Sequence, residues 1–473
     1  MRQTMAEKLQ ETALKKGKIL FGFVVIALLT LYQNFNILYQ GTKPPEILWA
    51  VLAVSALLLG KMWKDHGYRT LLLLYVIIVL RAYIGERDRF WWGEYTFFYG
   101  LLAYLVCYPF AQAVDRDWLP KLLRIGGILW VVSVTALSAM GLYAIWTGTK
   151  IYNLSNTGYL GLNGSRLELL YNYNTGAAIE SYTIIIALIL MAAARGKAGK
   201  LLLLLSIVIM WLALSLSDSR TSFIVAGFSI GCFVAILISS TCRLFGKIKE
   251  KNRSLFRIVL SAFIILCILL TSVSSYLLFN GAKHLFVNMR NNGIVATAEA
   301  EETEAGKETL NILDRSLLSS DGSLALSGRD KIWSGVFRYL QENPQTLLTG
   351  TSVISAMDGP NAMEGSFVIA DPHSLYIMTL LESGIPGLLL LLFCIVLFAV
   401  SCVRVWRNKQ IPLWVKLLPV IAVNILINGL TECIPCIIYG LPNLYHLHLV
   451  IGVTVLYGKK SKIAAKARKE LAA

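Results

Sequence analysis

The sequence predicts an all-α integral membrane protein with about twelve transmembrane helices and one long extracytoplasmic loop that contains short helices. Hydrophobic residues make up 56% of the 473 residues and charged residues only 15%, so a soluble protein of this length would need a largely apolar surface. Apolar runs of roughly 17–25 residues, the length of a membrane-spanning helix, recur along the chain. Basic residues concentrate in every second connection between these runs. Together these observations favour a polytopic helical bundle.

The apolar runs also predict the domain organisation. The first run follows Lys15, Lys16 and Lys18 and has no evident small-residue cleavage site, so it predicts an uncleaved first span. Residues 1–280 are predicted to form a bundle of nine spans, residues 281–373 a large extracytoplasmic loop, and residues 374–473 spans 10–12 with a basic cytoplasmic tail. The predicted spans are 19–39, 46–62, 69–84, 95–113, 122–146, 178–194, 200–216, 221–242, 256–280, 375–403, 412–431 and 436–457.

The charge distribution predicts the orientation. With the N-terminus inside, the cytoplasmic segments hold 30 of the 44 Lys and Arg residues, although most loop residues lie outside. Twelve spans then put both basic termini in the cytoplasm. The formal net charge of +16 is therefore interpreted as an orientation signal. No nucleic-acid-binding signature accompanies it, so no nucleic-acid partner is expected.

The large outer loop contains one clear helical pattern. Apolar residues recur at helical spacing after Ser327, which could cap the helix, and Asn343-Pro344 should end it. The pattern predicts an amphipathic helix against the membrane surface or the bundle. Residues 345–372 are rich in Gly, Ser, Pro and Asp and predict a loop. The apolar positions of the helix are Ile332, Trp333, Val336, Phe337 and Leu340.

Three side chains near the outer edge of the membrane are candidates for chemistry. Arg220 lies in a short outer hairpin, Arg329 begins the amphipathic helix, and His373 lies where the large loop enters the tenth span. Each also has a structural interpretation: an ion pair of Arg220 with Asp218, an ion pair of Arg329 with Asp330, and a helix-start role for His373. The predicted topology puts all three on one side of the membrane.

These residue types suit phosphate chemistry. A guanidinium is a planar, permanently charged fork that holds phosphate oxygens in bidentate fashion. An imidazole, with an ordinary pKa of about 6.5, can accept a proton from an attacking hydroxyl at physiological pH. Fixed arginines can stabilise the charge that develops on a diphosphate leaving group without a metal.

The tenth span carries a predicted break. Gly384, Pro386 and Gly387 should interrupt the helix that begins after His373. Glu382 lies near this break, too far along the helix to contact His373 directly. It could bind sugar or form a structural pair, and the sequence does not choose between them.

These motifs resemble a known family. His373-Ser374, nine further residues and then Gly384-Ile385-Pro386-Gly387 is similar to the signature of the O-antigen ligase and polymerase superfamily. Ser219-Arg220-Thr221 resembles its Ser-Arg step in an outer hairpin, and Gly328-Arg329 with Trp333 resembles its Gly-Arg-x-x-x-Trp helix start. Arg166 followed by Asn172-Tyr173-Asn174 is a looser match, because Tyr173 stands where the family has proline.

The resemblance implies a GT-C-like bundle in the cytoplasmic (inner or plasma) membrane with an outward-facing site. It implies transfer of a glycan from an undecaprenyl-diphosphate donor to an acceptor hydroxyl, with no metal and no cofactor. His373 would be the base, and Arg220 and Arg329 would hold the diphosphate. Arg166 and Asn174 would be further sugar or donor contacts. Asp115-Arg116-Asp117, which superficially resembles a metal-binding Asp-x-Asp motif, is interpreted as a solvated cytoplasmic turn.

Several alternatives stay open. A repeat-unit polymerase, towards which the interpretation leans, and a ligase that transfers finished glycan to lipid A core or another envelope acceptor share the same donor, so the motifs do not separate them. A transporter or flippase for an anionic substrate would use the arginines differently and should have charges and helix breaks at mid-span. Cys433 and Cys436 are predicted to form a structural disulfide or to be two free thiols.

Overall fold

The computed structural model of the protein describes the elements that carry most of the candidate residues. The described residues are 5–38, 46–62, 68–69, 72–73, 76, 101, 104–152, 159–163, 166–169, 173–217, 219–241, 253–298, 329–351, 373–431 and 445–459. They fall into two compact units, the first comprising 1–33, 43–126 and 326–473 and the second 34–42 and 127–325.

Helices dominate both units. In chain order the elements are α1 (Met5–Leu38), α2 (Glu46–Gly60), α3 (Phe110–Ala113), α4 (Leu119–Thr147), β1 (Ile151–Tyr152), β2 (Tyr159–Asn163), β3 (Arg166–Leu169), α5 (Tyr173–Ala193), α6 (Lys197–Leu216), α7 (Arg220–Thr241), α8 (Arg253–Ala298), α9 (Arg329–Glu342), α10 (Thr346–Thr349), α11 (Leu375–Arg407), α12 (Leu413–Leu417), α13 (Pro419–Asn428) and α14 (445–459).

Six helices of the described residues are long and apolar enough to cross a membrane, and they coincide with the predicted spans five to ten. Shorter apolar helices, Ile47–Gly60 and Leu413–Asn428, coincide with the second and eleventh. The third predicted span lies largely outside the described residues and the fourth lies partly outside them, so the number twelve stays a prediction. The six are Leu119–Thr147, Asn174–Ala193, Lys197–Leu216, Arg220–Ser240, Ile258–Ser275 and Ser383–Arg407.

Several of these helices present apolar side chains outward. On α6, Leu201 and Leu202 are 66% and 65% exposed, and on α8, Leu269 and Leu270 are both 57% exposed. A continuous apolar surface of this kind would be unfavourable in water and is typical of helices that face lipid. The exposed leucines therefore agree with a multi-pass membrane protein.

The helix of the ninth predicted span is longer than expected. α8 continues to Ala298, whereas the apolar run ends near residue 280. Phe286 lies beyond that point and packs edge-on against Trp146, with 5.9 Å between the ring centroids. This contact supports helix where apolar character alone predicted the start of a loop. The predicted extracytoplasmic segment therefore begins with helix, and its acidic stretch at 299–304 lies outside the described residues.

A small antiparallel sheet departs from the all-α prediction. β1, β2 and β3 are neighbours in that order, with Leu160 opposite Leu169 and Leu162 opposite Leu167. Leu160 and Leu167 are buried in one cluster with Ile145, Ala213 and Leu216. The polar–apolar alternation of these strands is only four or five residues long, too short to stand out beside the spans. The segment between the fifth and sixth predicted spans therefore contains a sheet that packs on helix ends.

Two glycines allow α7 and α8 to approach closely. A Cβ atom at Gly231 would lie 2.6 Å from the Cα of Ile268, and one at Gly227 would lie 3.0 Å from the Cα of Ser272. The Thr271 hydroxyl donates to the Gly227 carbonyl oxygen at 2.9 Å, across the same interface. Spacing of small residues by four positions brings helix backbones together in membranes, where packing replaces the hydrophobic effect.

Replacing Gly231 by leucine should separate α7 from α8, because the backbone of α8 cannot yield as a flexible side chain would. We expect the Gly231→Leu protein in detergent to lose about 1–3 kcal/mol of stability, measured by thermal or chemical unfolding. Gly281→Leu is the matched control, because a Cβ there meets nothing within 4 Å. Equal stability of the two variants would contradict close α7–α8 packing.

Candidate functional site

The three principal candidate residues all lie at the N-termini of helices. Arg220 is the first residue of α7, Arg329 is the first residue of α9, and His373 precedes the N-cap of α11. The first turn of a helix has N–H groups without intrahelical partners, and the helix dipole makes this end positive. Each candidate therefore lies where the backbone itself favours an anion.

His373 has an unusual backbone. Its φ is +48°, in the left-handed region that few residues other than glycine adopt. The helix cap is the next residue, because the Ser374 hydroxyl accepts from the Ile377 N–H at 3.5 Å. Capping therefore does not require the His373 side chain, which is half-buried. Such conformations are concentrated at functional sites, where the surrounding structure must hold them.

The start of α11 is fixed to the end of α13. The Leu375 N–H donates to the Gly429 carbonyl oxygen at 2.8 Å, and the Tyr376 hydroxyl donates to the Leu426 carbonyl oxygen at 3.2 Å. Leu375 itself is fully buried. These bonds join the residues directly after His373 to the carboxyl end of a neighbouring helix, so the backbone that carries the imidazole has little freedom.

The predicted break in α11 is confirmed at Gly384. Its φ and ψ are +64° and −168°, which interrupts the helix. A Cβ there would lie 2.6 Å from the Leu347 carbonyl oxygen of α10, so only glycine fits. The Leu381 carbonyl oxygen accepts from the Thr351 N–H at 2.7 Å. The break thus provides a docking place for the segment that follows α9.

The amphipathic helix is also confirmed. α9 runs from Arg329 to Glu342 and packs against α11; Val336 and Leu340 are buried, whereas Phe337 is 47% exposed. Asn343 ends the helix as predicted, its side-chain amide donating to the Tyr339 carbonyl oxygen at 3.0 Å. The predicted cap Ser327 lies outside the described residues. The Arg329 side chain is half-buried at the other end of the helix.

Arg220 follows a tight turn of buried serines. The Ser217 hydroxyl donates to the Leu214 carbonyl oxygen at 2.7 Å, and the Ser219 and Ser222 hydroxyls lie 3.1 Å apart. Because these serines form hydrogen bonds within the turn, a polar hairpin can be buried between two apolar helices. Arg220 is half-buried, and Asp218, its alternative ion-pair partner, lies outside the described residues.

The sheet brings Arg166 to the same end of the second unit as Arg220. Arg166 is the first residue of β3 and lies opposite Asn163; its neighbour Leu167 packs in one cluster with Leu216, four residues before Arg220. Asn174, the second residue of α5, is 9% exposed. β3 also packs against α5 and α6. The looser family match therefore lies on elements that surround the Arg220 hairpin.

Other sequence-based predictions meet the structure only in part. Glu382 lies in α11 two residues before the break, but its side chain is outside the described residues, as are Cys433 and Cys436. The Asp115–Asp117 segment is a turn, as predicted: the Asp117 N–H donates to an Asp115 carboxylate oxygen at 3.1 Å. Arg329 and His373 lie in the first unit, and Arg220, Arg166 and Asn174 lie in the second. A site shared by all of them stays a prediction.

Two buried polar side chains escaped the sequence interpretation. Glu180 in α5 is fully buried, and its carboxylate accepts from the Ser138 hydroxyl at 2.6 Å. His448 in α14 is 7% exposed, and its ring centroid lies 5.4 Å from that of Tyr104. A lone ionisable residue in an apolar run was the signal that could have identified either.

The comparisons with known proteins identify a family over the central part of the chain. Residues 205–392 match the family model described as O-antigen ligase. The matched range includes Arg220, Arg329, His373 and Gly384, whereas Arg166 and Asn174 precede it. Among curated proteins, none matches the chain. The family match confirms the resemblance to the O-antigen ligase and polymerase superfamily that the His and Arg motifs carry.

Proposed function

We propose that the protein is a membrane glycosyltransferase that moves a glycan from an undecaprenyl-diphosphate donor to an acceptor hydroxyl on the outer face of the cytoplasmic membrane. We further propose that it polymerises repeat units. The observation that carries this function is that Arg220, Arg329 and His373 all lie at helix N-termini within the family match. The remaining steps follow from the chemistry of those positions.

The proposed reaction exchanges one carbon–oxygen bond for another. The acceptor oxygen attacks the anomeric carbon of the donor sugar, and the bond between that carbon and the diphosphate oxygen breaks. The acceptor proton passes to the imidazole of His373. The lipid diphosphate leaves with the bonding electron pair, so negative charge grows on its oxygens as the reaction proceeds.

His373 suits the role of base because its backbone is held. The left-handed φ of +48° turns the chain just before the Ser374 cap, and the Leu375 bond to Gly429 holds the residues behind it. A base on a fixed backbone needs little reorganisation when the acceptor arrives.

Arg220 and Arg329 suit the leaving group for a related reason. A positive side chain at the first position of a helix is opposed by the helix dipole, so these arginines are not explained by helix stability. An anion bound there would compensate both the guanidinium and the free N–H groups. A diphosphate offers oxygens to both kinds of donor, and no metal has to share the site.

Two observations bear on the alternatives. The matching family model is described as O-antigen ligase, which favours the ligase as the second candidate. The break at Gly384 lies at the start of the apolar span Ser383–Arg407, not at its middle, and this argues against a transporter with helices broken at the midplane.

Replacing His373 by alanine should abolish most transfer. General-base catalysis contributes roughly 10²–10⁴-fold, so we expect a loss of that size in glycan transfer by the purified protein. His284→Ala is the control, because His284 is an exposed histidine of α8 outside the proposed site. Native-rate transfer by a folded His373→Ala protein would exclude the base role.

Lysine should not replace either candidate arginine. Arg220→Lys and Arg329→Lys keep the charge but lose the bidentate fork, and a lost hydrogen bond to a charged group corresponds to roughly a tenfold slower turnover or more. Arg338→Lys is the control, because Arg338 is an exposed residue of the same helix as Arg329. If both variants turned over at the native rate, the arginines would not hold the diphosphate.

A synthetic undecaprenyl-diphosphate repeat unit, given alone to the purified protein, distinguishes the two transfer reactions. A polymerase should convert it into a ladder of longer glycans, because donor and acceptor are the same molecule. A ligase should produce no ladder until a different acceptor, such as a lipid A core, is added. Gel electrophoresis of the products reads the outcome directly.

A further inference from the structure

A polar cavity lies in the first unit, away from His373. It has a volume of about 590 Å³ and is lined by α1, by the end of α2, by the turn after α3 and by α14. Gly458 of α14 packs beside Ser401, close to the end of α11, while Leu375 marks the other end of that helix. At 1.5 Å per residue, the part of α11 after its break, from Gly384 to Ser401, alone spans roughly 25 Å, so this cavity is not part of the proposed transfer site.

Cations dominate the lining of the cavity. Lys18, Lys61 and Arg116 contribute three positive charges. Of the two acidic residues in the lining, Asp117 forms an ion pair with Lys15 at 3.8 Å, outside the lining. Asp115 is left as the main negative charge within the cavity, so the cavity should attract an anion.

The backbone supports this arrangement of charges. Lys61 has a φ of +51° at the residue after α2, and it is exposed at the cavity. An Asp115 carboxylate oxygen accepts the Asp117 N–H and closes the turn that presents Arg116. The basic side chains thus come from three separate segments that meet at the cavity: α1, the turn after α2 and the turn after α3.

Apart from Gln112, the remainder of the lining is apolar. Leu59 and Leu456 are partly buried against the hydrophobic cluster that contains Phe110 and Leu122, and Val114 belongs to that cluster. A soluble phosphate gains nothing from contact with apolar side chains, whereas a phospholipid carries its phosphate next to apolar acyl chains. The combination therefore fits a lipid better than a free ion.

The neighbouring residues are those expected at the level of lipid headgroups. Trp118 follows directly after the lining residue Asp117; its ring lies 5.4 Å from that of Phe23, and the Lys121 ammonium lies 4.6 Å from the Trp118 centroid. Amphipathic aromatic rings concentrate at the membrane interface. The Lys and Arg distribution predicts that this interface is the cytoplasmic one.

We propose that this cavity binds the headgroup of an anionic glycerophospholipid, with its phosphate held by Lys18, Lys61 and Arg116. The Asp115 carboxylate would repel the phosphate and so lower the affinity of the cavity for the lipid headgroup. The ligand chemistry is a phosphate diester, and the inference does not depend on the transfer reaction.

The test measures lipid binding to the purified full-length protein by native mass spectrometry in detergent. Phosphatidylglycerol, phosphatidylcholine and, in a separate arm, inorganic phosphate are titrated. Lys61→Gln combined with Arg116→Gln should weaken phosphatidylglycerol binding roughly tenfold, because each cation near a membrane surface contributes appreciably. Arg195→Gln combined with Lys200→Gln is the control, since these exposed residues carry the same charge but lie in the other unit.

A variant that binds the lipid more tightly provides a test that misfolding cannot explain. Asp115→Asn keeps the oxygen that accepts the Asp117 N–H and removes the opposing charge, so it should tighten phosphatidylglycerol binding severalfold. Loss of inorganic phosphate binding in the double variant, with phosphatidylglycerol unaffected, would support the phosphate site but assign it to a soluble ligand. Unchanged binding of both ligands in the double variant, or an equal loss in the control pair, would overturn the proposal.

Discussion

The hydrocarbon core of a membrane offers no hydrogen bonds, and this constraint explains where polar chemistry lies in the protein. Backbone groups can remain unsatisfied only where a helix ends near water, so helix termini are where a spanning bundle can meet a charged substrate. Arg220 and Arg329 begin helices, and His373 directly precedes the N-cap of α11. Inside the spans, by contrast, Glu180 is tolerated with a bond from the Ser138 hydroxyl.

The break in α11 connects this constraint to the segment that follows α9. A continuous helix would use the Leu381 carbonyl oxygen internally, whereas the interruption at Gly384 lets it accept the Thr351 N–H. The same glycine allows the α10 backbone to approach within a distance that a side chain would forbid. The nine-residue spacer between Ser374 and Gly384 therefore has a physical meaning. It sets the length of helix between the capped end that follows His373 and the docking place of the segment that follows α9.

The sequence predicted best where one periodicity continued over many residues. The spans of α4–α7 and the amphipathic α9 were evident from apolar spacing, and the break in α11 from Gly384 and Pro386. Prediction failed where the structure depends on tertiary contacts. The extension of α8 rests on Phe286 against Trp146, and the small sheet rests on Leu160 and Leu167 packing over helix ends. The left-handed conformation of His373 had no local signal, and the bonds that Leu375 and Tyr376 make to the carboxyl end of α13 join residues far apart in the chain.

Helix N-termini and arginines together offer a way to stabilise a diphosphate that needs no bound metal. The N–H groups of a helix start are fixed by the helix itself, so they do not have to reorient as charge develops on the leaving group. A guanidinium at the same place adds a full charge, and the burial of the Ser217, Ser219 and Ser222 turn restricts the backbone from which Arg220 extends. In the empty site, the guanidinium is repelled by the positive end of the helix dipole. An anionic substrate would relieve this repulsion on binding. In the proposed function, affinity for the diphosphate and destabilisation of the empty site then have the same physical origin.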